Sequence, residues 1–133
     1  MKRPVLVANA TVLLHFLVNV LHGMAHRKLH VELGAAQKIF VFGVILIWPL
    51  VAALLLWLGQ IRLGSLFLVL SMGGSFLFGF YWHFAELTPD RIDRQVSGSW
   101  GMLFVATAVL LAITELLGTY LGLRLLRSGS QAA

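Results

Sequence analysis

Five histidines occur in this chain of 133 residues, and four of them fall inside apolar stretches. His15, Asn19, His22 and His26 follow one another at i, i+4, i+7 and i+11. At about 100° per residue these four side chains lie within about 60° of one another on a helix. Ionisable groups in hydrocarbon are costly and face a bundle interior, a cavity or a functional site, so this stripe is expected to point inward. A second set follows later in the chain. Gly79, His83 and Glu86 continue, at i, i+4 and i+7, a stripe of small residues formed by Ser71, Ser75 and Gly79.

The spacing of His22 and His26 stacks two imidazoles one helical turn apart, and His83 with Glu86 is a second helical pair. Imidazole and carboxylate without thiolate suit zinc, iron, manganese or copper(II), and four-helix bundles build metal sites from such pairs on facing helices. His22, His26, His83 and Glu86 are therefore the candidate metal ligands. The competing reading is that they are interfacial side chains bonded to backbone and water. A deeper pair is His15 with Glu115, the one acid well inside a span, with Asn19, Thr114 or Thr119 able to assist. These groups would form an interhelical hydrogen bond, a proton or ion pathway, or the lining of a haem or quinone pocket. A haem clamped by His15 or His22 with His83 fits less well, because the histidines cluster at one end.

The elements that must carry these residues follow from composition. The chain is 59% hydrophobic and only 11% charged, against about 25% charged in soluble domains. An all-α integral membrane protein is expected: a single domain, residues 1–133, holding a four-transmembrane-helix bundle in up-down-up-down order with short loops. The spans are placed at about 4–26, 39–58, 63–86 and 101–124. No cleavable leader is expected, since the apolar run after MKRP is too long for one. Trp48-Pro49 predicts a kink in the second span. Thr88-Pro89-Asp90 predicts a short surface helix capped by Thr88. Gly118 and Gly122 form a GxxxG pair which, with Ser71, Ser75 and Gly79, predicts close helix packing. Trp57, Trp82 and Trp100 fall near span ends, as an interfacial aromatic belt would place them.

With four spans, His22, His26, His83 and Glu86 all reach the side opposite the termini. Lys2, Arg3, Arg62, Arg124 and Arg127 flank one side, and Arg27, Lys28, Lys38, Arg91 and Arg94 the other, so the positive-inside rule is nearly balanced. The basic N-terminus favours cytoplasmic termini. The net charge of +5 suits lipid headgroups and does not require nucleic acid. The absence of cysteine excludes disulfide, thiolate and iron–sulfur chemistry. The expected partner is the lipid bilayer, with a homodimer or a larger membrane complex compatible. Four function classes follow: a metal-binding protein with redox or hydrolytic chemistry; a proton-coupled transporter or homodimeric channel using Glu115 and His15; an accessory or assembly subunit; and a b-type haem protein.

Overall fold

The computed structural model describes residues 3–130 and is all-helical. Four helices are long and apolar enough to cross a membrane. They are α1 (Arg3–Lys28), α2 (Ala35–Trp57), α3 (Ile61–Ala85) and α4 (Gly98–Ser130). Their packing forms a closed ring in which α1 touches α2 and α4, and α3 touches α2 and α4. That is the up-down-up-down bundle with short connections.

The faces are sorted for lipid. Leu13, Leu17, Leu70, Leu77, Leu116 and Leu117 point outward and exposed, whereas His15, His22, Ser71, Ser75, Thr107 and Thr114 are buried. Outward leucine satisfies a bilayer, and inward small and hydroxylated residues let helices approach and bond.

The half nearest the termini is a solid core of Val5, Ala8, Val12, Ala52, Leu56, Leu68, Met72, Leu121 and Leu125. Glycines draw its helices together. A Cβ on Gly64 would sit 2.9 Å from Leu56 of α2, and one on Gly122 would sit 2.7 Å from the Val69 side chain and 3.1 Å from the Ser65 carbonyl of α3. Gly118 seats the Met72 side chain. Gly118 and Gly122 thus pack α4 on α3, while Ser71 and Ser75 pack fully buried and return their hydroxyls to α3's own carbonyls. Gly79 does something else: it leaves space beside Glu115 and His83.

The other half is looser, and the helix ends explain how it is shaped. Pro49 offers no N–H to the carbonyl of Ile45, four residues earlier. Residues Val41–Ile47 wind instead as a π-helix, with Trp48 N–H reaching Gly43 O. The disturbance expected at Trp48-Pro49 takes the form of this wider winding in the residues before it. Tyr81–Ala85 also winds as a π-helix, and the chain turns extended at Glu86. The segment Thr88-Pro89-Asp90 does not start a surface helix. Only Ile92–Arg94 forms a single 3-10 turn, and the buried Thr88 hydroxyl has no hydrogen-bond partner.

Candidate metal centre

Three imidazoles meet at the end of the bundle opposite the termini. His22 and His26 come from α1 and His83 from the π-helical end of α3, and all three are buried. One ligand nitrogen from each lies within 4.8 Å of the others. The His22 and His83 rings stand edge to face with centroids 4.9 Å apart, and His22 and His26 likewise at 4.8 Å. Phe104 of α4 backs all three, with centroids 4.7, 5.0 and 5.5 Å away, and makes one wall of the centre apolar.

Each ring is oriented through Nδ1. His26 Nδ1 donates to the Val31 carbonyl at 3.1 Å. That carbonyl is placed by the end of α1, where Val31 N–H bonds to His26 O and His30 N–H to Arg27 O in a Schellman cap. The cap requires a left-handed residue, and His30 takes it with φ 54. His83 Nδ1 donates to the Asp90 carbonyl at 3.0 Å. His22 Nδ1 lies 2.8 Å from Thr107 Oγ1. The Thr107 hydroxyl is itself 2.6 Å from the Leu103 carbonyl, which takes its single proton and leaves Oγ1 to accept from His22.

This proton accounting assigns Nδ1–H to all three rings and leaves a lone pair on each Nε2. His22 Nε2 and His83 Nε2 are 3.2 Å apart. Asp90 Oδ1 lies 3.2 Å from His26 Nε2 and 3.4 Å from His83 Nδ1, yet no N–H is aimed at it. Four acceptor atoms therefore crowd one buried place without a donor among them, which favours a cation there. A tetrahedral ion with bonds of 2.0–2.1 Å would hold two nitrogens about 3.3 Å apart; the His22–His83 pair stands at 3.2 Å, and the three ligand atoms together spread to 4.8 Å. The same 3.2 Å leaves no room for a porphyrin between His22 and His83, one of the two haem clamps the sequence allows.

The remaining candidates lie elsewhere. Glu86 is not brought to the imidazoles; its carboxylate accepts from the Tyr81 hydroxyl at the surface. The carboxylate beside the imidazoles is that of Asp90, from the α3–α4 link. His15 and Glu115 share no hydrogen bond or ion pair among the described residues. His15 sits 3.4 Å from Thr114 Oγ1, 3.2 Å from the Ile45 carbonyl beside Pro49, and 2.9 Å from Asn19 Nδ2. It joins α1 to α4 and α2. Glu115, one residue beyond Thr114, faces α3 at Gly79.

Thr107, Asp90 and Phe104 belong to the centre without having been singled out as ligands or their supports. For Thr107 a signal existed: Phe104, Thr107, Leu111, Thr114 and Gly118 step by three and four along α4, the pattern of one buried face.

Between α1, the π-helical part of α2, α3 and α4 lies a cavity of about 700 Å³. It reaches from Arg27, His30 and Lys38 at the loop end, past His22, His26 and His83, down to Glu115. Below Glu115 the apolar core of the termini half closes the bundle. No family model matches this chain, and neither a curated protein nor a solved structure is found to be similar to it.

Proposed function

We propose that this is a multi-pass membrane protein that binds one divalent transition-metal ion through Nε2 of His22, His26 and His83. The observation that carries the reading is the convergence of three buried imidazoles with a nitrogen of each within 4.8 Å of the others, each ring held through Nδ1 by a carbonyl or hydroxyl. Such outer partners set the tautomer and the orientation of metal-binding imidazoles. Zinc fits the geometry best, and iron, manganese and copper(II) share the donor preference. Three protein ligands leave a fourth position, and the cavity adjoins it. Sites closed by four protein ligands are structural, whereas three ligands with an open position suit chemistry on a bound molecule. Asp90 is placed to accept a hydrogen bond from a metal-bound water or to serve as a further ligand.

The transporter reading has less support than the metal centre, because His15 and Glu115 share no hydrogen bond or ion pair among the described residues. We also propose that the chain works within the bilayer with its termini in the cytoplasm, which would put the centre near the opposite face. A homodimer or a larger complex would use the leucine-rich outer faces. Metal analysis of protein purified in detergent without added chelator tests the central reading. About one equivalent of zinc or another transition metal is expected, lost in His22→Ala and His83→Ala and kept in His15→Ala. Metal-free wild-type protein that takes up none from a micromolar zinc solution would refute it.

A further inference from the structure

Glu115 is a buried carboxyl that the metal centre does not use. It is only 3% exposed, it lines the inner end of the cavity, and its carboxyl group meets no donor among the described residues. Each nearby donor is already committed. Thr119 donates to the Glu115 backbone carbonyl at 2.8 Å, Ser75 to Ser71 O at 2.7 Å, Asn19 to His15, and His83 Nδ1 to the Asp90 carbonyl. A carboxyl buried in this way is strongly unfavourable unless it is hydrogen-bonded. Its oxygens are not sealed in the packing but open into the cavity, so a donor can reach them from outside the chain.

The surroundings define the rest of that molecule. Phe78, Leu111, Ala112 and Ile45 form apolar walls around the inner cavity. Asn19, Ser75 and His83 line the same cavity and can hold water at separate polar spots, while the apolar walls between them suit an apolar body. The volume of about 700 Å³ falls within the range of sites that enclose a whole small organic ligand. Glu115 Oε2 and His83 Cδ2 both lie 3.8 Å from the point a Cβ on Gly79 would occupy, so at most twice that distance separates them. Cδ2 is bonded to Nε2, so the Nε2 edge of His83 lies at the same Gly79 notch as the Glu115 carboxyl.

The geometry points to a binding site for a lipid-soluble alcohol or phenol, with its hydroxyl donated to Glu115 and its apolar body between Phe78, Leu111 and Ala112 beneath the three histidines. The molecule reaches the site from the bilayer or through the loop-end mouth. Its oxygen then lies between the carboxyl and the histidine centre, where a metal-bound group can meet it. Binding at Glu115 does not require the metal, so the two readings fail separately.

The probes are 4-octylphenol and octylbenzene, alike in shape and differing by the hydroxyl. Each is titrated into full-length protein in dodecylmaltoside micelles, metal-free and zinc-loaded, with the unfolding temperature as readout. Wild-type protein is expected to bind the phenol about five- to tenfold more tightly than the hydrocarbon, the ratio that one net hydrogen bond supplies. In Glu115→Leu the ratio should fall to about one; Glu115→Gln, which keeps an acceptor, should retain most of it. Ala112→Phe fills the cavity and should weaken both probes. A wild-type ratio of one, a ratio unchanged in Glu115→Leu, or undiminished binding in Ala112→Phe would overturn the proposal. Absence of zinc binding would refute the metal reading and leave this one standing.

Discussion

Thr107→Val isolates the mechanism by which the centre is prepared. The substitution is nearly isosteric and touches no metal ligand atom, but it deletes the oxygen 2.8 Å from His22 Nδ1. Left unpaired in this dry setting, the Nδ1–H would cost about 1–3 kcal/mol. His22 has an escape: its proton can move to Nε2, which then donates to His83 Nε2, 3.2 Å away. Metal-free Thr107→Val should therefore lose less than about 1 kcal/mol of stability, the value of one net hydrogen bond. Metal affinity should suffer more, because two of the three coordinating nitrogens are now joined by a proton that a metal must displace. Loss of such a support weakens binding about 10–100-fold, or about 1.4–2.8 kcal/mol. Thr114→Val is the matched control: it lies two helical turns along the same face and removes the corresponding oxygen from His15. Competition for zinc against a chromophoric chelator, with thermal unfolding of the metal-free proteins, measures both quantities. Equal zinc affinity in Thr107→Val and wild type, or an equal loss in Thr114→Val, would show that the hydroxyl does not prepare the site.

His30→Gly should raise stability by up to about 1 kcal/mol, because glycine adopts the left-handed cap at φ 54 without a Cβ penalty; thermal unfolding at matched detergent concentration checks it, and a lower midpoint would refute it. Gly122→Val should cost about 1–3 kcal/mol, since its Cβ would press the Ser65 carbonyl at 3.1 Å and Val69 N at 3.2 Å. Gly118→Ala should cost less, because the obstacle there is the flexible Met72 side chain; the ranking is read from unfolding temperatures, and a reversed order would contradict it. Glu115→Leu should stabilise the ligand-free protein by about 1–3 kcal/mol, as an unpartnered buried polar group is replaced by an apolar one; a destabilised variant would show that the carboxyl has a partner within the chain.

Depth was legible in the sequence, and rotation was not. Hydropathy and length predict four apolar spans, and four helices long and apolar enough to cross a membrane are present among the described residues, with His22, His26 and His83 brought together. The i, i+4, i+7, i+11 stripe on α1 was a sound guide because it lies on one uninterrupted helix. Glu115 and Thr114 are equally deep, but neighbours on a helix point about 100° apart. Which of them meets His15 depends on how α4 is turned, and that is set by Gly118 and Gly122 settling against α3. Glu86 was misaligned for a local reason. Its spacing from His83 assumes α-helical winding, whereas Tyr81–Ala85 winds as a π-helix and the chain leaves the helix at Glu86. Asp90 was hidden by a motif, Thr-Pro-Asp, that favours a helix start. The cavity seats Asp90 under the imidazoles instead, where its carbonyl and carboxylate both find company.

The winding of α2 has a further consequence. Glycine contacts bolt the termini half of the bundle, where backbone lies against backbone. The loop half depends on a few side-chain bonds, and its share of α2 has a wider ladder above Pro49. Amides of Val41–Ile47 should exchange with deuterated solvent or detergent-bound water sooner than those of Leu68–Met72. Faster exchange there would mark the wall of the cavity built by α2 as the part of the bundle that yields first, while the glycine-packed end keeps its protons.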